Sequence, residues 1–283
     1  MCVSERALVL GGGGFVASSW ITGLITGMAE AGIEVRDADL LIGTSSGARV
    51  ALQLASGDPL EELFARQIAA APQVGRQTGT VDWGRLQGEV ARAKELGGDR
   101  SEILRRIGRL ALALEGPDRR ALVATQLPMT QWPERPLRLI ALNAATGLRR
   151  AFDRESGIDL VDAVMATTAS FGAAPVWFEG QPYIDGGFHS SDNADLAAGC
   201  GRVLVLALKA PPWAMRLVSL EDGIAALRAS GAAVELIQPD DEAMAVIGSA
   251  GSPMDPAVFE PVTRAGRAQG LRVAAQRGSA GFW

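Results

Sequence analysis

The stretch from Asp39 to Gly47, Asp-Leu-Leu-Ile-Gly-Thr-Ser-Ser-Gly, constrains the fold of this chain more than any other. Its apolar run, Leu40 to Ile42, is too short for a helix and is followed by glycine, which is typical of a buried strand in an α/β sheet. Apolar residues at helical spacing begin again at Val50. A strand, a glycine turn and a helix in this order predict a sharp corner at residues 43–47.

The corner matches the pattern G-x-S-x-G through Gly43, Ser45 and Gly47. In this pattern the serine lies on a strained strand-to-helix turn, and the glycines give the turn its backbone freedom and clearance. The positive end of the following helix would stabilise an oxyanion that develops beside Ser45. We therefore predict that Ser45 is a nucleophile, with Ser46 as the competitor if the turn is shifted by one residue. A connecting turn without chemistry is the structural alternative.

A second short strand, Ala7 to Leu10, runs into four glycines, Gly11, Gly12, Gly13 and Gly14. Helical spacing follows from Phe15 to Ala31, so the loop points successive N–H groups at one place and forms a cradle for an anion. The anion is either the oxyanion of acyl transfer or a dinucleotide pyrophosphate. For the dinucleotide, Gly12-x-Gly14-x-x-Ala17 and Glu34 stand at suitable spacing. Convergence of this loop with Ser45 favours the oxyanion.

A serine nucleophile needs a base, and two candidates lie near the turn Asp185-Gly186-Gly187. Asp185 ends a predicted strand, and Gly186 and Gly187 leave its carboxylate without bulky neighbours. The single histidine, His189, is too close to Asp185 in the chain for an Asp-His pair to reach Ser45 easily. We predict that Asp185 accepts the serine proton directly, in a dry cleft that raises its basicity. The structural alternatives are a turn-forming Asp185 and a polar loop histidine.

Composition excludes several functional classes. The net charge is −5, from 27 basic and 32 acidic residues, which argues against a nucleic-acid partner. Cys2 and Cys200 are too few for a disulfide framework or a cysteine metal site, so we expect a reducing cytoplasm. The N-terminal run is too short for a secretory signal, and no 18 apolar residues follow one another. Peripheral contact with a membrane remains open.

Strands alternate with helices along the chain, up to the buried run Arg202 to Leu208. This order predicts an α/β fold with three α/β/α layers and a mainly parallel central sheet. With 283 residues and no Pro/Ser-rich linker, we expect a single domain over residues 1–283. Residues around 58–130 are predominantly helical and either pack on the domain or form a mobile cover over an acyl-binding cleft. The candidate lipid contacts of such a cover are Trp83, Met129 and Trp132.

Limits are predicted for three helices from capping and spacing. Ser101 is expected to cap the helix that follows it. Later helices are expected from about Trp213 to Ala229 and from about Pro256 to Ala275.

Four motifs, in order between about Ala7 and Leu208, carry a family resemblance: the glycine loop, G-x-S-x-G, an Ala/Ser-rich segment ending at Pro175, and Asp-Gly-Gly. Together they resemble the patatin-like phospholipases of the bacterial single-domain type. The resemblance implies a patatin-like fold, a Ser45–Asp185 dyad and an oxyanion hole from Gly11 to Gly14. It further implies hydrolysis of an acyl ester in a lipid, with no metal and no cofactor.

The chain departs from the family pattern at two positions. Phe15 stands where the family loop usually carries Arg or Lys, and Phe171 stands where a serine is expected before Pro175. These departures suggest one alternative to the acyl hydrolase, a non-catalytic, lipid-binding member of the same fold. A second alternative, a dinucleotide-dependent oxidoreductase, is based on the Gly12 to Ala17 turn.

Overall fold

The computed structural model describes residues 5–70, 83–116, 118–170, 172–209 and 216–277. Within these ranges, the strands form one eight-stranded sheet. The strands are β1 (Arg6–Leu10), β2 (Leu40–Thr44), β3 (Leu137–Asn143), β4 (Arg149–Phe152), β5 (Val176–Phe178), β6 (Gln181–Asp185), β7 (Arg202–Leu206) and β8 (Ala233–Ile237).

The α-helices of the described ranges lie between and after these strands. They are α1 (Gly14–Glu30), α2 (Ser46–Ala55), α3 (Leu60–Ala69), α4 (Trp83–Glu95), α5 (Arg100–Leu112), α6 (Arg120–Gln126), α7 (Leu160–Thr167), α8 (Leu220–Ala229), α9 (Asp241–Ile247) and α10 (Phe259–Arg277). Short 3₁₀ turns follow β6 and precede β7 and α10.

The sheet is mixed, with a parallel centre. Its order is β5-β6-β3-β2-β1-β7-β8, and β4 also pairs with β3. The run from β3 through β2, β1 and β7 to β8 is parallel, whereas β4, β5 and β6 pair antiparallel. The predicted α/β fold with a mainly parallel central sheet is confirmed.

Both faces of the sheet are covered by apolar packing. Alternate residues of β1 enter different clusters: Leu8 and Leu10 join one, and Ala7 and Val9 join the other. This alternation follows from the two-residue period of a strand and requires helices on both sides. The central parallel strands are therefore protected from water, and their carboxyl ends form one edge on which loops can meet.

Helix α1 is buried along most of its length and packs closely against α10. Glycines permit the close approach, because a Cβ added at Gly23 would lie 2.0 Å from the Thr263 carbonyl oxygen. The Trp20 indole N–H donates to Gln269 Oε1 at 2.8 Å across the same interface.

Several predicted helix limits are corrected by the structure. Helix α5 is capped by Asp99 and not by Ser101, because Asp99 and Glu102 form a reciprocal capping box. Helix α8 begins at Leu220, after the cap Ser219, and not near Trp213, which lies outside the described residues. The last helix starts at Phe259, after a 3₁₀ turn.

The helical region after α2 packs on the sheet domain where the structure describes it. Leu104 and Ile107 of α5 share a cluster with Leu142 and Ile184 of the sheet. Trp132 donates its indole N–H to the Ile158 carbonyl at 2.9 Å and packs on the core, as does Met129. The Trp83 side chain and residues 71–82 lie outside the described part, so the single-domain and cover hypotheses stay predictions.

No helix in the described ranges is both long and apolar enough to cross a membrane.

Candidate active site

Two adjacent residues of β3 bring the predicted dyad together. Ile140 pairs with Thr44 at the end of β2, and Ala141 pairs with Asp185 at the end of β6. Ser45 follows Thr44 directly, so the register places both side chains at one point of the sheet edge. Ser45 Oγ donates a hydrogen bond to Asp185 Oδ2 at 2.7 Å.

Ser45 occupies a strained corner between β2 and α2. Its φ is 55° and its ψ is −123°, a backbone conformation that residues other than glycine rarely adopt. Its N–H donates to Thr167 Oγ1 at 2.9 Å, and that hydroxyl donates to the Ile140 carbonyl at 2.6 Å. Buried Thr167 thus ties the strained backbone to β3.

The flanking glycines are needed for clearance. A Cβ at Gly47 would lie 2.1 Å from the Leu10 carbonyl oxygen, and one at Gly43 would lie 2.5 Å from the Ala48 Cα. The helix that follows Ser45 therefore packs directly against the end of β1, next to the glycine loop.

Asp185 is buried, with 5% of its surface exposed. Its Oδ1 accepts from the Gly187 N–H at 2.8 Å, and its Oδ2 accepts from Ser45. Burial raises the pKa of Asp185 to about 6, against the opposing effect of these two hydrogen bonds. A Cβ at Gly186 would lie 2.4 Å from the Ile140 carbonyl oxygen, so the strand end can approach β3 this closely only with glycine there.

The glycine loop lies against the serine. A Cβ at Gly12 would be 3.0 Å from the Ser45 Cβ. The amides of Gly11 and Gly12 donate to the carbonyls of Leu206 and Ser191, at 2.9 and 2.7 Å. In the described part of the chain no acceptor engages the amides of Gly13 and Gly14, whose φ values are 143° and 71°. Among the four loop amides, those of Gly13 and Gly14 are thus the two that donate to no protein acceptor within the described ranges.

The start of α1 is already in contact with the segment around Pro253. The Val16 N–H donates to the Pro253 carbonyl at 3.1 Å, and a Cβ at Gly14 would lie 2.3 Å from that oxygen. Glu34, the residue at the expected ribose position, instead binds Arg36 through both carboxylate oxygens. Neither contact favours the dinucleotide hypothesis.

Asn193 connects the site loops, and sequence reasoning missed it. Its side chain is fully buried, and Nδ2 donates to the Ser190 carbonyl at 2.7 Å and to Thr44 Oγ1 at 3.1 Å. Its Oδ1 accepts from Arg149 at 3.1 Å, and its φ is 51°. Thr44, the residue before Ser45, and the loop after Asp185 are therefore held by one amide.

The structure does not bring His189 to the dyad. Its side chain is buried, and Nδ1 has no hydrogen-bond partner among the described residues. Burial, helped by the charge of Arg149, lowers the pKa of His189 to about 4. The Ser46 hydroxyl is also buried without a partner among those residues, so Ser45 and not Ser46 contacts Asp185.

The Ala/Ser-rich segment lies beside Asp185. The Asp185 N–H donates to the Ala169 carbonyl at 3.1 Å, which anchors the end of β6 to this segment. Phe171, the residue that departs from the expected serine, lies outside the described residues. Within the described ranges, no group of three His, Cys, Asp or Glu side chains is placed to hold a metal ion.

Comparisons with known proteins identify the family of the chain and similar solved structures. Residues 8–198 match the family described as patatin-like phospholipase. None of the curated proteins matches. Among solved structures, the type III effector protein ExoU is similar at 12% identity and a TM-score of 0.41, over 95% of this chain and 53% of that chain.

A second solved structure, full-length SpcU in complex with full-length ExoU from the type III secretion system of Pseudomonas aeruginosa, has 12% identity and a TM-score of 0.39. It covers 94% of this chain and 53% of that chain. The chain thus spans about half the length of the solved chains it matches.

Proposed function

Because the chain belongs to the patatin-like phospholipase family, we propose that it is a serine acyl hydrolase that cleaves ester bonds in lipids. The observation that carries the proposal is the 2.7 Å hydrogen bond from Ser45 Oγ to Asp185 Oδ2, at a strained corner beside the glycine loop. A hydroxyl in contact with a buried carboxylate is the pair that direct serine activation requires.

In the proposed first half-reaction, Ser45 Oγ attacks the ester carbonyl carbon while Asp185 takes the hydroxyl proton. The raised pKa of Asp185 supports this role, since a carboxylate with a pKa of about 6 is a better base than an ordinary aspartate and is still largely ionised at neutral pH. The proton then passes to the leaving alcohol, and the acyl group remains on Ser45.

The tetrahedral intermediate carries a negative oxygen that needs donors. We assign this role to the glycine loop predicted from the sequence, and within it to the amides of Gly13 and Gly14, since Gly11 and Gly12 already donate to carbonyls. Donors aimed at the developing charge contribute about 3–4 kcal/mol each to transition-state stabilisation in other acyl-transfer enzymes. In the second half-reaction, water attacks the acyl group with Asp185 again as the base.

The test is hydrolysis of p-nitrophenyl esters by wild type and by Ser45→Ala, Asp185→Asn and Ser46→Ala. We expect Ser45→Ala and Asp185→Asn to lose activity by at least about 1,000-fold. Ser46→Ala is the matched control, because Ser46 is the neighbouring buried hydroxyl without a partner in the described chain. Equal rates for wild type and Ser45→Ala would reject the assignment.

Labelling with a fluorophosphonate supplies an independent readout. We expect one covalent adduct per chain, located on Ser45 and absent in Ser45→Ala. Lipid binding without Ser45-dependent turnover would instead identify a non-catalytic member of the fold. Thermal stabilisation by NAD or NADP would favour the oxidoreductase hypothesis.

A further inference from the structure

The loop of residues 186–193 is bonded to two separate parts of the proposed active site. Its Ser191 carbonyl accepts from the Gly12 N–H of the glycine loop at 2.7 Å. The Asn193 side chain donates to the hydroxyl of Thr44, the last residue of β2, at 3.1 Å. A displacement of this loop would therefore move both the corner at the end of β2 and the glycine loop.

Arg149 holds the end of this loop from strand β4. It lies opposite Leu142 in the pairing of β4 with β3. Its Nη1 donates to Asn193 Oδ1 at 3.1 Å and to Asp195 Oδ1 at 2.7 Å, and its Nη2 donates to Asp195 Oδ2 at 2.6 Å. One guanidinium thus binds the buried amide of Asn193 and the carboxylate two residues further along the chain.

This contact determines which way the Asn193 amide points. A guanidinium has only N–H donors, so the amide oxygen has to face Arg149. The amide nitrogen then points away and donates to Thr44 Oγ1 and to the Ser190 carbonyl, the latter at 2.7 Å. In the reversed orientation, the NH₂ group would face the guanidinium and the amide oxygen would face the Ser190 carbonyl. Asn193 is fully buried, so the loss of both hydrogen bonds would be costly.

The ion pair of Arg149 with Asp195 holds the guanidinium in this position. Its two parallel N–H···O bonds fix the plane of the guanidinium as well as its distance. Burial raises the pKa of Asp195, but the hydrogen bonds and the charge of Arg149 outweigh this effect and bring the pKa below its usual value. Asp195 is therefore ionised at neutral pH and keeps Arg149 directed at Asn193.

We propose that Arg149 is a positioning residue for the reaction, which acts through Asn193 on the corner that carries Ser45. The inference rests on the proposed function and names a residue outside the dyad on which its rate depends. Among the described residues, Arg149 forms no hydrogen bond with Ser45 or Asp185. Because the contact sets the position of the nucleophile, its loss should change kcat and leave KM nearly unchanged.

The experiment measures kcat and KM for a p-nitrophenyl ester in wild type and in Arg149→Met, which keeps the stem and removes the donors. Each rate is divided by the number of sites that a fluorophosphonate titrates, so that unfolded protein does not count. We expect kcat per site to fall by about 10-fold, with KM changed by less than about twofold. An unchanged kcat per site would overturn the proposal.

Arg150→Met is the matched control, because Arg150 is the neighbouring arginine of β4 and also has a carboxylate partner. It donates to Glu179 at 2.9 Å and to the Tyr183 hydroxyl at 3.0 Å, and its guanidinium lies over the Phe152 ring. Successive residues of a strand point to opposite faces, so Arg150 faces away from Arg149. We expect Arg150→Met to lose stability and keep its kcat per site. An equal loss of kcat in both variants would overturn a specific role for Arg149.

A double variant tests whether Arg149 acts through Asn193. Once Asn193→Gly has removed the amide, adding Arg149→Met should lower kcat by no more than about a further twofold. A further full 10-fold loss would contradict this route, since the two effects would then be independent. If Arg149→Met does not fold, Asp195→Asn, which removes the charge that holds the guanidinium, replaces it in the same comparison.

Arg149→Lys separates the charge from the planar fork. A lysine keeps a cation beside Asp195, but its single ammonium lacks the fork that binds Asp195 and Asn193 together. We expect the stability of Arg149→Lys to exceed that of Arg149→Met and its kcat to stay below that of wild type. A wild-type kcat in Arg149→Lys would overturn the role of the fork in orienting Asn193.

The rate of fluorophosphonate labelling separates this inference from the proposed function. Labelling of Ser45 should be about 10-fold slower in Arg149→Met than in wild type, whether or not wild type hydrolyses esters. Labelling of wild type without Ser45-dependent turnover would reject the proposed function and leave this comparison intact. Equal labelling rates in wild type and Arg149→Met would overturn the inference alone, and a Ser45 that labels in neither would overturn both.

Discussion

Ser45 and Asp185, 140 positions apart in the chain, share a 2.7 Å hydrogen bond in which the acceptor is a buried carboxylate with a pKa raised to about 6. The same burial that makes the carboxylate a stronger base also makes its ionised form costly for the fold. Activity and stability should therefore respond to pH in opposite directions at this residue.

The pH profile of activity follows from the ionised form of Asp185. If Asp185 is the base, kcat/KM should fall below a pKa of about 6 and reach a plateau above it. The measurement is kcat/KM for a p-nitrophenyl ester between pH 4 and pH 9. An acid limb centred near 4, the ordinary range of an aspartate, would contradict the buried base.

Replacing Asp185 by Asn should stabilise the protein at high pH. An unfolded aspartate has its ordinary pKa of 3.8, and the folded value is about 6. A carboxyl group whose pKa is raised in the folded state does not lower the free energy of unfolding at pH values below its unfolded pKa. The loss of stability grows as pH rises and is complete once pH exceeds the folded pKa. Between pH 4 and pH 8, Asp185→Asn should therefore gain about 1–3 kcal/mol relative to wild type in urea unfolding. A pH-independent difference would show that burial does not perturb this group.

Backbone strain at Ser45 should be measurable by comparing two inactive variants. With φ 55° and ψ −123°, position 45 suits glycine better than any residue with a Cβ. We expect the free energy of unfolding of Ser45→Gly to exceed that of Ser45→Ala by about 1 kcal/mol. This difference already includes the extra conformational entropy that glycine loses on folding. Equal stabilities would mean that the corner is unstrained.

Asn193 should act as a positioning residue. Asn193→Gly keeps the left-handed backbone and removes the donor to Thr44 and to Ser190. Displacement of the corner should lower kcat by about 10- to 100-fold with little change in KM. A loss of Tm with unchanged kcat would instead show that Asn193 supports only the fold.

The α1–α10 contact should tolerate no added methyl group. Gly23→Ala places a Cβ 2.0 Å from a carbonyl oxygen of α10, and the backbone must move to relieve the overlap. We expect a loss of about 1–3 kcal/mol in unfolding free energy. Gly88→Ala, at an exposed position of α4, is the control, since nothing lies within 4 Å of its added Cβ, and it should be neutral or stabilising by up to about 1 kcal/mol.

Local patterns predicted the strand-turn-helix units around Ser45 and the strand that ends at Asp185, because hydrophobic period and turn glycines lie within a few residues of each other. The helix cap at Asp99 could also have been predicted from the sequence, since Asp99 and Glu102 have capping-box spacing. Helix α8 was extended too far, because apolar spacing before Ser219 carries no information about where a helix begins. Helix α9 was not predicted.

The residues that support the site could not be found in this way. Thr167 binds Ser45 across 122 positions, and Asn193 binds Thr44 across 149. Such relationships exist only after the sheet has assembled.

Because neighbouring positions of β3 hold Thr44 and Asp185, the separation of Ser45 and Asp185 is set by strand register and not by the length of the chain between β2 and β3. We therefore expect a change of loop length between β2 and β3 to leave this register in place. Deleting Ile140 has the opposite effect, since it would shift the register of β3 by one residue, turn one partner to the far side of the sheet and separate the Ser45 hydroxyl from Asp185.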